Sequence, residues 1–304
     1  MSDPAHEQRR QRLIGIGLMC GAVALFSVLD ATAKYLGGHM PTLQVVAVRF
    51  ISAFMIALAV SNPLTRPGLM KTAQPGLQVL RGLLLISTTI FNFLAFRYLQ
   101  LDEALAILFA TPFLVAAMAG PLLGEWISWR RWTAIAVGFI GVLVVIRPGI
   151  SGGMQWAALF SVAATMFYAG YGITTRMVSR TDSSETTLFY GNLVAVCVMA
   201  PLLPFVWSGP ISWLDLGLMV AMGALGSGSH YLLIAAHRRA PASVLSPFIY
   251  TQLVWATMMG FLVFHDLPTG WTLLGGAIVV ASGLYLIHRE RVVTGRVVAP
   301  VEPG

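Results

Sequence analysis

Residues 13–35 read LIGIGLMCGAVALFSVLDATAKY. Positions 13–29 of this run carry no charge, and Asp30 and Lys34 stand near its end. A helix needs about 20 apolar residues to cross the hydrocarbon core of a bilayer, so the run predicts a membrane span. Arg9, Arg10 and Arg12 precede it, as basic residues precede a secretory signal. The apolar run is too long for a signal segment and lacks a clear small-residue cleavage site, so an uncleaved span is expected.

Working outward, nine more blocks of this kind follow: Leu43–Val60, Val79–Phe96, Ala104–Leu123, Trp132–Ile146, Trp156–Met177, Thr187–Val206, Leu214–Ala236, Val244–Phe264 and Trp271–His288. Backbone groups in lipid must be paired within their own segment, which makes these blocks helices. A membrane barrel would alternate apolar and polar residues over about 10 positions, whereas these runs are continuous. Composition agrees: 57% of the 304 residues are hydrophobic and 10% are charged, against about 25% charged in soluble domains. That excludes an ordinary soluble enzyme, a disordered protein and a nucleic-acid-binding domain. The net charge of +7 comes from basic residues scattered between apolar blocks, which form no continuous patch. Cys20 and Cys197 lie in separate blocks and show no pairing or metal-ligand spacing.

Basic residues favour the cytoplasmic side of a membrane. With ten spans and the N-terminus inside, fifteen basic residues fall on the inner side, Arg81, Arg238 and Arg239 among them. Lys34, Arg97 and Arg147 fall outside, and Arg49 lies within a span. Both termini are therefore expected in the cytoplasm.

The chain also matches itself at an offset near 141. Phe26 falls on Phe167, Gly82 on Gly223, Ala95 on Ala236, Arg97 on Arg238 and Glu125 on Asp266. After one inserted residue, Trp129 falls on Trp271, Gly141 on Gly283 and Arg147 on Arg289. Each copy holds five spans. Five is odd, so the second copy enters the membrane from the opposite face. The expectation is an all-α integral membrane protein of ten transmembrane helices, built as two inverted five-helix repeats over 13–148 and 154–289. Residues 1–12 and 290–304 form short cytoplasmic tails. This architecture recurs in secondary transporters, with a midplane site between halves that rock to give alternating access.

Ionisable residues inside a membrane are functional candidates. Asp30 and Lys34 share one helix face, and Arg49 enters the next span from the same side, so the three could meet as an outer gate or a polar substrate contact. A self-neutralising ion pair, with Lys34 reaching the interface, would look the same. Glu125 and Asp266 close spans at matching places, and fixing helix ends is enough to explain them. Asp102 and Glu103 suit a helix N-terminus and receive no transport role. His230 lies within Gly226-Ser-Gly228-Ser-His230, where it could donate to a substrate or simply be packed. Gly223-Ala-Leu-Gly226-Ser-Gly228 lacks the Lys and Ser/Thr of a phosphate loop, so its glycines are read as close helix contacts. Pro112, Pro121, Pro201, Pro204 and Pro247 could kink helices around a cavity. Asn92, Tyr168, Tyr171, Tyr190, Asn192, Tyr250, Gln252 and Trp255 are polar or aromatic inside the blocks. A flat aromatic ligand would stack on such rings, although interface anchoring places aromatics there too.

The chain resembles the drug/metabolite transporter superfamily, in its ten-span branch with two EamA-type repeats. The resemblance covers Leu13 to Glu290. It rests on Asp30-Ala-Thr-Ala-Lys34-Tyr-Leu, Val48-Arg49-Phe50, Leu80-Arg81-Gly82, Gly124-Glu125 ahead of Trp129-Arg130-Arg131-Trp132, Gly138-Phe-Ile-Gly141, Arg147-Pro148 and Asp266-Leu-Pro268 before Trp271. The first-half motifs look like those of a bacterial uptake group that includes riboflavin and S-adenosylmethionine carriers. The resemblance implies a carrier of a small organic metabolite in the bacterial inner membrane. Riboflavin uptake is the leading reading, with S-adenosylmethionine uptake, or export of amino acids or drugs, as alternatives. With Asp30 the one plausible buried acid, a neutral planar substrate is expected over a cationic one. Asp30, Lys34 and Arg49 would guard the outer half of the path, with Tyr168, Tyr171, His230, Tyr250 and Trp255 at its centre.

Other classes fit less well. No His-Glu-x-x-His and no Gly-x-Ser-x-Gly appear, as an intramembrane enzyme would need. No selectivity-filter sequence suggests a channel. No cofactor, metal or nucleotide motif is expected. The partners implied are the bilayer and a small solute; a homodimer and coupling to protons or sodium stay open.

Overall fold

The computed structural model describes residues 4–60, 67–123, 129–147, 156–209, 211–240 and 242–297. Gly124, Glu125, Arg66 and Pro148 lie outside the described residues, as do the outermost parts of both tails. Twelve α-helices are described: α1 Pro4–Gly37, α2 Thr42–Val60, α3 Pro75–Tyr98, α4 Leu101–Leu108, α5 Thr111–Leu123, α6 Trp129–Ile146, α7 Ala158–Val178, α8 Ser184–Val206, α9 Trp213–His237, α10 Ala242–Ile249, α11 Thr251–Met259 and α12 Gly270–Val297. A 3-10 turn, Pro67–Met70, precedes α3, and one π turn, Gly260–Phe264, extends α11. No strand occurs among the described residues.

Local chemistry starts these helices where the sequence changes character. Pro75 opens α3, where its missing N–H costs nothing. Ser183 and Ser212 cap α8 and α9, each accepting a backbone N–H three residues on, from Thr186 and Asp215 at 3.1 Å. Seven helical stretches are long and apolar enough to cross a membrane, and Trp132–Ile146 and Gly270–Tyr285 are shorter apolar helices. Helix α7 has the length, at 21 residues, but is not one of the seven. Tyr168, Tyr171, Thr165, Thr174 and Thr175 dilute its apolar character.

Two of the ten blocks are broken helices, and the breaks correspond. Phe109 separates α4 from α5, and Tyr250 separates α10 from α11; the two positions differ by 141. Their backbones match, with φ −67°, ψ −5° at Phe109 and φ −67°, ψ −13° at Tyr250. Pro112 explains the first break, since it lacks the N–H that Leu108 O would accept in a continuous helix; Pro247 lies inside α10, three residues before the second. Threonine repairs them. Thr111 Oγ1 donates to Leu108 O and Thr251 Oγ1 to Phe248 O, both at 2.6 Å, satisfying carbonyls that the broken ladder leaves over. The Phe109 and Tyr250 rings meet edge-on, 5.2 Å between centroids.

The core lies mainly between the two halves of the chain. Helix α3 packs on α7, α1 on α9, α6 on α12, and α2 on α8 and α9. Small residues allow the closest crossings. A Cβ on Gly82 would fall 2.5 Å from Val194 Cβ, and one on Gly223 would fall 2.6 Å from Ala53 N. Gly82 and Gly223 differ by 141, and so do Ala53 and Val194. The repeat seen in the sequence is thus also a reciprocal packing of one half on the other. Gly141 and Gly275 bring the backbones of α6 and α12 together in the same way: a Cβ on either would lie within 3 Å of the other's carbonyl oxygen.

Candidate functional site

A cavity of about 950 Å³ lies between α2, α8 and α9. Its origin is local. Gly223 draws α9 onto α2 at Ser52 and Ala53. One turn on, Gly226, Ser227 and Gly228 are too small to fill the space beside α2, and they line the cavity. Only the first glycine of this run acts as the close contact expected of all three. The walls are largely apolar, with Phe50, Ile56, Leu85, Leu188 and Phe189 among them. Arg49, Asn192, Ser227 and His230 supply polar groups, and the cavity reaches Ser184, Glu185, Arg238 and Arg239 at one end.

Arg49 and His230, with Asn192 from the polar residues inside the blocks, are the expected residues that line this cavity. Arg49 donates from Nη1 to Thr89 Oγ1 at 3.2 Å. Its guanidinium lies over the rings of Phe50 and Phe93, 4.9 and 5.4 Å from their centroids. Nη2 and Nε run along Gly226, where a Cβ would sit 3.5 and 3.8 Å from them. His230 stands edge-on to Phe26, 5.2 Å between centroids.

Asp30, Lys34 and Arg49 do not form one ion-paired cluster. Lys34 Nζ instead reaches Asp266 Oδ2 at 2.7 Å and Leu99 O at 3.0 Å, and lies over the Phe264 ring. Asp30 is 6% exposed and accepts from Gln252 Nε2 at 3.3 Å. It lies within electrostatic reach of Arg49, yet no salt bridge joins the two. The partners were chosen across helices: α1 meets α11 and its π extension, and these carry Gln252 and lead to Asp266.

The remaining expected residues lie outside the cavity lining. Tyr171 accepts Arg81 Nη2 at 2.7 Å, and its ring stacks on Tyr168, 5.8 Å away. Tyr190 donates to Met70 O at 2.9 Å. Tyr250 is buried under α12, where Gly283 leaves room for its hydroxyl. Trp255 packs on the cluster of Met19, Val23 and Leu245. Asn92 is half-buried, and its Oδ1 finds no partner among the described residues.

Charges close the two ends differently. At the Lys34 end, Glu103 lies 3.6 Å from Arg147, and His39 lies 3.1 Å from Asp215. Asp102 and Glu103 stand in the first turn of α4 and are 5% and 7% exposed. At the opposite end Asp182, in the α7–α8 loop, accepts from Thr72 Oγ1, Ala73 N (3.0 Å) and Gln78 Nε2 (2.9 Å). Partial burial alone would raise its carboxyl, but these hydrogen bonds outweigh it and hold it below the usual carboxylate range. Arg81 departs from its expected place in the loop tally. It is 2% exposed between α3, α7 and α8, where Thr175, Tyr171 and the Thr187 carbonyl hold it.

Sequence reasoning passed over Ser227, Glu185, Arg238 and Arg239 as cavity residues. In the sequence the two arginines count as inner-side basic residues, and Arg238 as the match of Arg97. The available signal was the place of the two arginines just past the end of α9, more than two turns beyond His230.

Comparison with known proteins bears on what this cavity serves. The profile of the EamA-like transporter family matches residues 13–147 and again 155–288. An S-adenosylmethionine uptake transporter of Rickettsia conorii is 28% identical over 283 residues, covering 92% of this chain and 94% of the relative. A riboflavin transporter of Vibrio cholerae is 26% identical over 278 residues, covering 90% and 92%. A solved crystal structure, 18% identical, superposes with a TM-score of 0.62 over 93% of this chain and 98% of its own. At that identity the likeness is one of fold.

Proposed function

The chain belongs to the EamA-like transporter family, a multi-pass membrane transporter, and from that premise we propose that it carries a small heteroaromatic metabolite into a bacterial cell across the inner membrane. In this reading the chain crosses the membrane ten times, as two inverted five-helix repeats over 13–148 and 154–289 with both termini in the cytoplasm. The reciprocal packing of Gly82 on Val194 and Gly223 on Ala53 supports the inversion, as do the matched breaks at Phe109 and Tyr250. Interrupted helices at corresponding places in the two halves are a mark of secondary transporters.

The observation that carries the proposal is the cavity between α2, α8 and α9, about 950 Å³ in volume and largely apolar-walled, with Arg49 and His230 on its lining. That is the volume and lining of a site for a small organic molecule. Its arginine-bearing end faces the cytoplasm in the proposed orientation. The other end is held by Lys34–Asp266, His39–Asp215 and Glu103–Arg147. Each of these pairs joins helices or loops that must separate for the outer side to open, so the arrangement suits an inward-facing state of an alternating-access cycle. Asp30 takes a place behind the cavity, next to Arg49 and Gln252, and Lys34 belongs to the outer closure. Riboflavin and S-adenosylmethionine, which the relatives' names carry, both contain a planar heteroaromatic ring.

The test is uptake of labelled riboflavin and labelled S-adenosylmethionine by bacteria lacking their own importers, with and without this gene. Gene-dependent, saturable accumulation of either is the expected result. Protein present in the membrane with neither solute moving would overturn the uptake reading.

A further inference from the structure

We infer that the solute taken into the cavity bears an anionic group, a carboxylate or a phosphate, and that Arg49 binds it. The inference rests on the cavity being the transport path and names the chemistry of what passes through it.

The argument starts from charge. A guanidinium keeps its charge in a protein and offers five N–H donors. Placed in a membrane-spanning helix, such a charge is expensive unless it is paired or solvated. The other embedded cations of this chain have their pairing supplied by the protein. Lys34 has Asp266, Arg147 has Glu103, and Arg81 donates from all three of its nitrogens. Among the described residues Arg49 makes one hydrogen bond, to Thr89, and no carboxylate lies within 4.0 Å of it; the buried Asp30 acts on its charge only from farther away.

Geometry then says which way the remaining donors serve. The rings of Phe50 and Phe93 hold the guanidinium in place, and ring faces are weak hydrogen-bond acceptors. The Nη2–Nε edge runs along Gly226, and both residues line the cavity. Two parallel N–H groups on one edge of a planar fork match the two oxygens of a carboxylate or phosphate. Gly226 presents no side chain to that edge. The charge along the cavity agrees: Arg49, Arg238 and Arg239 line it against one acid, Glu185, so its field draws anions inward. The apolar walls at Phe50 and Phe189 accept the rest of the molecule.

The inference is tested by equilibrium binding to the full chain in lipid nanodiscs, using two pairs of probes. One pair is S-adenosylmethionine and its decarboxylated analogue. The other is riboflavin 5′-phosphate and riboflavin. In at least one pair the anionic member is expected to bind about 10-fold or more tightly, the effect of a charge-assisted hydrogen bond; the pair that shows it tells carboxylate from phosphate. R49Q should bring the ratio close to one, and R49K should keep part of it. The wild-type ratio needs no variant, so a misfolded R49Q leaves the test intact. Equal binding within both pairs, or a ratio that survives in R49Q, would overturn the inference, as would failure of all four probes to bind. If riboflavin is nonetheless taken up by cells, the carrier reading stands and only the anion site falls.

Discussion

Arg81 on α3 and Arg49 on α2 share a residue type and a membrane-spanning setting, and their surroundings differ in kind. Arg81 gives Nε to Thr175 and Nη1 to Thr187 O, both at 2.8 Å, and Nη2 to Tyr171 at 2.7 Å, with the Tyr171 ring under its charge. Gly191 makes room for it: a Cβ there would be 3.1 Å from Nη1. Arg49 rests on aromatic faces, makes one hydrogen bond among the described residues and borders a cavity. A cation enclosed by fixed neutral acceptors ties helices together, because each acceptor comes from a different turn or helix. A cation left with donors on a cavity wall is available to something that arrives there. Both satisfy the same physical demand, one by folding and the other by binding.

The largest effect is expected where the fold depends on the charge. Arg81→Ala removes a buried donor from the Thr175 and Tyr171 hydroxyls and from Thr187 O. It should cost about 1–3 kcal/mol of stability, seen as a lower unfolding temperature in lipid or detergent. Arg49→Gln should lower uptake of the transported solute about 10-fold or more while the unfolding temperature stays near that of the parent. If Arg49→Gln destabilises as much as Arg81→Ala, the contrast between a tying and a receiving arginine is broken. Asp266→Asn tests an intermediate case, since the Lys34 and Asp266 side chains are 15% and 29% exposed. About 1 kcal/mol of closure energy is at stake, and faster outside labelling of a cysteine placed at Gln100 would report it. Asp182 should show the smallest effect, on stability alone. Its carboxyl is depressed on folding, so its contribution is fully present above the unfolded value of about 3.9 and fades as pH falls through the folded one. Asp182→Asn should narrow the stability difference between neutral and acidic pH. A pH profile identical to the parent's would remove Asp182 from the account.

The helical blocks were legible because length and hydropathy leave few other ways to bury the backbone. The expected blocks lie almost wholly in the described helices, with breaks inside two of them at Phe109–Ala110 and at Tyr250. Gly82 falls on Gly223 in the self-match at offset 141, and in the structure both glycines make close contacts, on Val194 and on Ser52 and Ala53. Arg49 and His230 were legible as cavity residues because polar groups inside spans need a reason. The partners were not. Lys34 lies one turn from Asp30 along α1, which suggested a cluster with Arg49. Its actual partner, Asp266, is 232 residues away, brought near by the packing of α1 on α11 and its π extension. Tyr171 and Tyr190 looked like ligand contacts because hydroxyls in apolar helices demand partners. They have them in Arg81 and the Met70 carbonyl, acceptor and donor roles that helix spacing cannot reveal. Arg81 itself lies close enough to the start of α3 to pass for a loop charge, and only the crossing of α3 with α7 and α8 buries it.

What the sequence determined by itself is the kind of protein: a chain of apolar helices, with few charges and those at telling positions. Hydropathy and periodicity are local sums, and a chain so poor in charge has to bury its backbone in helices whatever their arrangement. The tertiary structure alone decided which of the embedded charges are spent on holding helices together and which one is left facing a cavity. That division depends on which side chains from distant parts of the chain come within about 3 Å of one another. Hydrogen bonding acts at that range, and no pattern within a single helix specifies it.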